Sequence, residues 1–398
     1  MYKILLLSFI TTICFSQNLT IALQSTSGSY NTTIHNIINK FKKKYPDTTI
    51  KLLFLDGNQH KKEFRNNLDN GIVDIATWQG GQRLFDYKNK VQPLNDMWKK
   101  YNMDNKFDKK IIVNIKKDDN IYGLPISYYH WGFYYNKKVF KKYNLKIPNT
   151  WEQLLQNAKV LKDNNIIPFS IGAKNFWTSS GWFTYLNLRV NGLNFHRLLL
   201  DGKISYKNKK VLKVFEMLKE VVDNQYFIKN INKYNWIEPM PYLYRQKASM
   251  TLIGNFFSSH IPKKVKKDIG FFKFPLENKN DIYYEQAPLD IFVISKKSKN
   301  KELAKKFLNF FSSQNILEQY NKSMGQISPM KNSIVVNDNF LQQGLELLQN
   351  AKGLTLFFDL DTKQDFANEA LKEFTNFLID ADINKTTNKL EILRLKYY

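Results

Sequence analysis

The chain has 398 residues, of which 43% are hydrophobic and 15% aromatic, so it can bury a large core and is not intrinsically disordered. Its 60 lysines and arginines against 35 aspartates and glutamates give a formal net charge of +25, and its single cysteine excludes a disulfide framework and a cysteine-based zinc site. The lysines are scattered along the sequence, which favours a solvated basic surface over a nucleic-acid-binding stripe, so no nucleic-acid partner is expected.

The first 16 residues have the pattern of a secretory signal peptide. Lys3 precedes a mostly apolar stretch that is too short for a good membrane span, and Ser16 is the small residue needed before a cleavage site. We therefore predict a mature chain that begins at Gln17 and a soluble periplasmic product. The alternative is a membrane-tethered lipoprotein acylated at Cys14, which ranks second because the residue before it is Ile13 instead of a small one.

Predicted strands and helices alternate after the signal peptide. The first strand, over 18–24, is followed by a helix with apolar residues on one face from Ile34 to Tyr45. A second strand over 48–55, a polar helix around 61–70 and a third strand over 72–77 complete a βαβαβ unit. This order predicts an open α/β sheet that binds ligands at the carboxyl ends of its strands.

A second region begins near residue 128. Its clearest helix is predicted over 150–162, because Thr150 and Gln153 fit a capping box ahead of an apolar face. Further strands are predicted over 166–171, 248–253, 269–274 and 290–295, and the stretch 175–182, which is rich in Trp and Gly, is predicted to be a loop. Further helices are predicted over 208–223 and 301–311, in a shorter segment ending near 325, and in the tail from 365 onward.

Motifs for catalysis are missing from the sequence. Its five histidines show no metal-ligand spacing, and no GxSxG, GxGxxG or P-loop pattern occurs. We therefore expect no enzymatic activity, no cofactor and no metal. An exported glycan-degrading enzyme stays an alternative, because its two catalytic carboxylates need no fixed spacing in sequence.

Tryptophans near strand ends and in polar stretches are the informative feature: Trp78, Trp131, Trp177 and Trp182. Indole faces stack on the C–H faces of sugars, while polar side chains bind the hydroxyls. Trp177 and Trp182 are flanked by Ser, Thr, Gly and Asn, which favours ligand contact, whereas Trp78 and Trp131 fit a core position equally well. Trp98 and Trp151 are predicted to be core residues, and His130 is predicted to be structural.

Six segments of the sequence match motifs of one known protein family in the same order. They are the stretch from Gly123 to Leu145, the helix start from Pro148 to Leu155, and the segments Asn70 to Ile75, Arg245 to Phe256, Asp268 to Pro275 and Gly325 to Pro329. Together they resemble family 1 extracellular solute-binding proteins, the maltose-type sugar receptors of ABC importers, and the first two resemble that family's hinge-and-helix signature. The stretch from Gly181 to Gly192 resembles a carbohydrate-specific subgroup.

The resemblance implies an α/β, two-lobe periplasmic-binding-protein fold with a hinge and an interlobe ligand cleft. The expected first lobe comprises 17–127 plus about 284–325, and the second comprises 128–283 plus about 326–398. Such a receptor closes on its ligand and presents it to membrane permease subunits without chemistry, and a monomer is expected.

The ligand contacts implied for this chain are stacking on Trp78, Trp131, Trp177 and Trp182 and polar contacts from Asp74, Tyr129, Asn255 and Asp290, although Asp74 has a second interpretation as an anchor of its own loop. Phe256 stands where the family commonly has Trp, and Arg245-Gln246 replaces the usual Gln-Gly. These departures leave the sugar unspecified. The basic charge leaves an anionic saccharide or sugar phosphate as an alternative ligand.

Overall fold

The computed structural model describes residues 17–24, 28–278, 281–335 and 338–398; the predicted signal peptide and Cys14 lie outside them. The strands are β1 (Gln17–Gln24), β2 (Thr48–Leu55), β3 (Ile75–Gln79), β4 (Lys116–Lys117), β5 (Asn120–Ile121), β6 (Leu124–Tyr128), β7 (Trp131–Asn136), β8 (Ile167–Phe169), β9 (Ala248–Gly254), β10 (Ile269–Phe272), β11 (Glu285–Gln286), β12 (Leu289–Ile294) and β13 (Leu354–Thr355). The helices are α1 (Gly28–Lys44), α2 (Gly57–Asp69), α3 (Gln82–Phe85), α4 (Asn95–Lys100), α5 (Lys109–Ile112), α6 (Lys137–Lys142), α7 (Trp151–Asp163), α8 (Trp177–Leu200), α9 (Lys209–Asp223), α10 (Met240–Tyr244), α11 (Lys263–Lys266), α12 (Lys301–Phe311), α13 (Gln314–Met324), α14 (Asn339–Asn350), α15 (Phe358–Asp361), α16 (Gln364–Asp380) and α17 (Ile383–Tyr397). None of the helices in these ranges is both long and apolar enough to cross a bilayer.

The first lobe is built on a five-stranded sheet in the order β2-β1-β3-β12-β6. Strands β1, β2 and β3 are parallel, as the βαβαβ prediction requires, while β12 runs antiparallel between β3 and β6. Helices α1, α2, α12 and α13 pack against this sheet. The carboxyl ends of the three parallel strands therefore meet at one edge of the first lobe.

The second lobe is built on a four-stranded sheet in the order β10-β7-β9-β8, with α7, α8, α9 and α16 among its helices. The predicted capping box is confirmed: the Gln153 amide donates to Thr150 Oγ1 at 3.4 Å, and the Thr150 amide donates to Gln153 Oε1 at 3.3 Å. Trp98 and Trp151 are buried, as predicted. The two-lobe α/β architecture predicted from the sequence is confirmed.

One predicted loop is a helix. Residues 177–182 form the first turns of α8, which begins after Phe176 in a left-handed conformation with φ 67°. The hydroxyls of the Ser and Thr residues that favoured a loop are all hydrogen-bonded: Thr178 Oγ1 donates to Gly172 O at 2.7 Å, Ser179 Oγ accepts from Thr375 Oγ1 at 2.9 Å, and Ser180 Oγ donates to Trp177 O at 2.8 Å. Because these residues are small and their hydroxyls have partners, the helix is buried in the second lobe.

Three chain segments cross between the lobes side by side. The amide of Tyr128 donates to Ile327 O at 3.0 Å, and the Ile327 amide donates to Tyr128 O at 3.0 Å. The next amide, that of Tyr129, donates to Pro288 O at 3.3 Å. The crossings are therefore joined to one another by backbone hydrogen bonds, and they form the hinge region of the molecule.

A buried ion pair attaches the chain just before the second crossing, the one at Pro288, to the second lobe. Arg189 of α8 pairs with Glu285 at 2.5 Å between Nη2 and Oε1, and Tyr185 donates to Glu285 Oε2 at 3.0 Å. The neighbouring Gln286 donates to Thr184 at 2.8 Å. The segment up to Gln286 thus packs on the second lobe, and residues 287–288 connect it to β12 of the first lobe.

Candidate functional site

A hydrogen-bonded polar chain occupies the edge of the first lobe where β3 ends. Asp290 of β12 accepts hydrogen bonds from Gln79 and Gln326. The amide orientation of each glutamine is fixed by its other partner, since Arg83 Nη1 donates to Gln79 Oε1 at 2.5 Å and Ser127 Oγ donates to Gln326 Oε1 at 2.6 Å. Both glutamines therefore direct an N–H group at the Asp290 carboxylate.

The Asp290 carboxyl group has an unusual environment. It is half-buried, and burial raises its pKa to about 7 even though the hydrogen bonds from Gln326 and Gln79 favour the charged form. Two neutral amides hold it in place of a cation. Such a carboxylate can accept further hydrogen bonds from a ligand that carries hydroxyl groups.

Arg83 connects the two lobes at this point. Its Nη2 lies 2.8 Å from Asp359 Oδ2, and its side chain is 3% exposed. Arg83 belongs to α3 of the first lobe, and Asp359 belongs to α15, which packs on α8 and α16 of the second. Gly81, with φ 81°, permits this approach, because a Cβ atom there would lie 2.3 Å from Leu356 Cδ1.

Aromatic rings of the second lobe line the other side of the same junction. Trp177, Phe256 and Trp236 are half-buried. The ring centroids of Trp177 and Phe256 are 6.1 Å apart, and those of Trp236 and Phe256 are 5.1 Å apart, both in edge-to-face geometry. Because each ring keeps part of its surface accessible, the group offers apolar faces for stacking.

Tyr129 lies between the polar chain and the rings, and with them it defines what we call the lobe junction. Its ring is 6.0 Å from Phe256, edge to face. Burial raises the pKa of its hydroxyl well above the ordinary value, the nearby charges of Asp290 and Asp359 raise it further, and Arg83 lowers it. Tyr129 therefore stays protonated and can donate a hydrogen bond at neutral pH.

The structure brings three of the predicted site residues together at the lobe junction: Tyr129, Trp177 and Asp290. Trp131 lies directly beneath them. It is 2% exposed, its ring stacks on Phe357 with centroids 4.4 Å apart, and it meets Trp177 edge to face at 5.8 Å. Trp131 therefore supports the accessible rings and offers little surface of its own.

Trp78 and Trp182 do not form walls of the junction, contrary to the sequence-based expectation. Trp78 stacks on Phe64 of α2 with centroids 3.6 Å apart, and its indole N–H donates to Arg83 O at 3.2 Å. Trp182 is 1% exposed and lies edge to face with Phe169 and Phe227, each at 4.9 Å. Both indoles are enclosed by other rings, so they are core residues.

Asp74 and Asn255 also have structural roles. Asp74 directly precedes β3, so it lies at the opposite end of that strand from the lobe junction. It accepts hydrogen bonds from the Thr20 amide at 2.8 Å and from Ser298 Oγ at 2.5 Å. It therefore anchors its own loop, the second interpretation given above. Asn255 is fully buried and donates to Gly325 O at 2.9 Å, which links β9 to a chain crossing.

Six residues of the junction were not among the predicted ligand contacts: Gln79, Arg83, Trp236, Phe256, Gln326 and Asp359. Of these, Phe256 was noted from the sequence only as a departure from the family's usual Trp. Gln79 and Arg83 follow the third predicted strand, and ligand-binding residues are expected at the carboxyl ends of such strands. Their position in the sequence could therefore have identified them. Asp359 carried no such signal, because its proximity to Arg83 depends on how α15 packs across the lobes.

Two other candidate features, a metal-binding cluster and a surface depression on the first lobe, are weaker than the lobe junction. Within the described residues, no group of three His, Cys, Asp or Glu side chains could hold a metal ion. A surface depression of about 710 Å³ lies between α1 and α13, and Asn39, Lys40 and Gln319 are among its lining residues. It contains no aromatic ring, so it lacks the stacking surface that the lobe junction has.

Comparisons with known proteins agree with this architecture. An uncharacterized ABC transporter extracellular-binding protein of Pyrococcus horikoshii is 26% identical over 325 residues, which cover 77% of this chain and 70% of that protein. A multiple sugar-binding protein of Streptococcus mutans is 25% identical over 212 residues, 52% of this chain and 50% of that protein.

Solved structures match nearly the whole chain. The bacterial solute receptor AcbH, described as having an exclusive preference for β-D-galactopyranose, superposes with a TM-score of 0.86 at 23% identity, covering 96% of this chain and 99% of that one. A chitin oligosaccharide binding protein superposes with a TM-score of 0.84 at 22% identity, covering 96% and 98%.

The sequence model of one family, described as bacterial extracellular solute-binding protein, matches residues 25–314. This match spans most of the chain, and the chain therefore belongs to the family of bacterial extracellular solute-binding proteins.

Proposed function

We propose that the protein is an exported receptor of an ABC importer that binds a sugar or oligosaccharide between its lobes and delivers it to membrane permease subunits. The observation that carries the proposal is the composition of the lobe junction. Half-buried rings of Trp177, Phe256 and Trp236 lie beside a carboxylate, Asp290, and a tyrosine hydroxyl, Tyr129. Apolar walls with a few fixed polar groups suit the faces and hydroxyls of a sugar.

The similar proteins support the same ligand class. They include a multiple sugar-binding protein, a receptor for β-D-galactopyranose and a chitin oligosaccharide binding protein. In our proposal, Trp177 and Phe256 stack on the ligand, Asp290 and Tyr129 bind its hydroxyls, and Trp131 supports the rings from below. We further propose that the ligand is uncharged, because the Arg83 guanidinium is paired with Asp359 and the polar chain ends in a carboxylate.

Closure of the lobes around the hinge region would commit the ligand to transport. We propose that the crossings at 128–129, 287–288 and 326–327 act as the hinge, so that the first lobe comprises 17–127 plus about 287–325 and the second lobe comprises the remaining mature chain. Small-angle scattering of a monomer should give a smaller radius of gyration at saturating ligand. An unchanged radius would contradict closure.

A ligand screen by thermal shift tests the proposal directly. Neutral oligosaccharides should raise the melting temperature, whereas uronates and sugar phosphates should leave it unchanged; stabilisation by the anionic sugars alone would show that the receptor takes an anionic saccharide. Chromatography of the recovered ligand separates a receptor from a glycan-degrading enzyme, since a receptor returns the sugar intact. Hydrolysis products that accumulate with time would refute the receptor assignment.

We also propose that the chain is exported by its first 16 residues and works in the periplasm. Mass spectrometry of the protein recovered from cells should find an N-terminus at Gln17. A diacylglycerol-modified Cys14 would instead make it a membrane-tethered receptor.

A further inference from the structure

Three segments that are far apart in sequence meet at one end of the second sheet and form a basic surface. These segments are 137–142, 245–247 and 263–268, and together they define the basic end. Ten of their fifteen residues are lysine or arginine, and one, Asp268, is acidic. The lysines that look scattered in the sequence are therefore concentrated here by the fold.

The sheet itself holds the three segments together. β7 ends at Asn136, opposite Ile269 at the start of β10, and the Lys137 amide donates to Asp268 O at 2.8 Å. The Asn136 side chain donates to Leu243 O at 2.9 Å, which brings the 245–247 segment to the same corner. The basic end is thus a fixed part of the second lobe.

Most of its charge has no carboxylate partner among the described residues. Within them, ion pairs join Lys138 to Asp268 at 2.8 Å and Lys266 to Asp338 at 3.5 Å. The other eight cations of the basic end are exposed, and no salt bridge reaches them within that part of the chain. A dense group of unpaired cations creates a positive potential that attracts an anionic surface.

The side chains favour a lipid surface over a nucleic acid. Nine of the ten cations are lysines, which act as hydrated point charges, whereas Arg245 alone offers the planar fork that suits bidentate phosphate recognition. The nearby rings of Tyr135 and Tyr244 pack inward on Phe140 and Phe257, so they form no platform for stacked bases.

We propose that the basic end docks the protein on a membrane surface through anionic phospholipid headgroups. Each lysine near such a surface contributes about 1 kcal/mol of attraction, so a group of this size can hold a protein at the membrane by charge alone. Docking leaves the lobe junction free, because β7 runs from Trp131 at the junction to Asn136 at the basic end, a separation of about 16 Å. This docking is separate from sugar binding and requires neither a bound ligand nor the permease.

Vesicle flotation with the full chain tests the proposal. Wild type should float with vesicles of phosphatidylcholine and phosphatidylglycerol at about 0.1 M salt and dissociate when more salt shortens the Debye length. A variant with four exposed lysines of the basic end changed to Glu, at Lys141, Lys142, Lys263 and Lys264, should bind these vesicles at least about tenfold more weakly.

The matched control changes four exposed lysines elsewhere to Glu, at Lys43, Lys44, Lys207 and Lys209, so that both variants have the same net charge. It should float like wild type. A second variant with Gln at the four basic-end positions should also lose binding, and it keeps the test valid if the Glu variant folds poorly.

Four outcomes would overturn the proposal. An equal loss in the control would show a general charge effect, and undiminished flotation of the basic-end variants would show that the surface is not used. Equal binding to pure phosphatidylcholine would indicate an apolar contact. Tighter binding of the basic end to double-stranded DNA than to anionic vesicles would assign it to nucleic acid instead.

Discussion

Replacing Asp290 with Asn isolates the energetic cost of a carboxylate at the lobe junction. The folded protein has a pKa of about 7 at this group, against about 3.9 for an unfolded aspartate. Between these values the folded state binds more protons than the unfolded state, so the free energy of unfolding falls as the pH rises. The contribution is fully present below about pH 4 and is lost as the pH passes through 7.

The size of this effect follows from the shift in pKa. About three pKa units correspond to about 4 kcal/mol, and partial exposure of the side chain to solvent reduces the expectation to about 2 to 4 kcal/mol. Asp290→Asn removes the titration. The free energy of unfolding of wild type minus that of the variant should therefore fall by this amount between pH 4 and pH 8.

Urea unfolding followed by tryptophan fluorescence at several pH values measures this difference. The substitution also has a cost that does not depend on pH, because the NH2 group of the new Asn cannot accept the hydrogen bond from one of the two glutamines. The test therefore uses only the change of the difference with pH. Asp96→Asn is the control: burial alone would raise the pKa of Asp96, but hydrogen bonds from Lys305 and the Met97 amide lower it. Its difference from wild type should be constant from pH 5 to pH 8.

A flat profile for Asp290→Asn would refute the reasoning. It would mean that Asp290 ionises as an ordinary surface aspartate and that the two glutamines and the lobe junction do not desolvate it. A profile that rises with pH would imply a cationic partner, which the described contacts of Asp290 do not include.

Three further predictions concern the core, the rings and the contact between the lobes. Trp182→Ala should lower the free energy of unfolding by about 3–5 kcal/mol in urea titrations, because the indole leaves a cavity among rings; a loss below 1 kcal/mol would contradict its core position. Trp177→Ala should weaken sugar binding about 5- to 150-fold by calorimetry with little change in unliganded melting temperature, and unchanged affinity would remove it from the site. Arg83→Met should increase the unliganded radius of gyration in small-angle scattering, since it breaks the ion pair with Asp359, and an unchanged radius would show that this pair does not hold the lobes.

Local patterns predicted the backbone well, because they depend on neighbouring residues. The capping box at Thr150 and Gln153 predicted the start of α7, and the helices predicted over 208–223 and 301–311 match α9 and α12 to within a residue. The loop prediction for residues 177–182 was wrong because it too depended only on neighbouring residues. Its Ser, Thr and Gly residues favour loops locally, and only the surrounding core makes them a helix.

The functional residues were harder to predict, because a side chain's role depends on which face it occupies and what lies opposite. Trp177 and Trp182 have similar neighbours in sequence, yet one is half-buried at the junction and the other is enclosed among Phe rings. The same holds for the distribution of charge. The lysines of the basic end lie in three segments that are far apart in sequence, and only the pairing of the strands brings them together.

The position of β12 between β3 and β6 constrains the order in which the protein can fold. All four strands of the second sheet lie between β6 and β12 in sequence, so that sheet is complete in the growing chain at Phe272, before β12 exists. Until Ile294 follows, β3 and β6 each lack their shared neighbour and expose an unpaired edge. Exposed edges pair readily with other chains. The second sheet is therefore complete in the growing chain before the first, and a chain that ends between Phe272 and Ile294 is the species most vulnerable to aggregation.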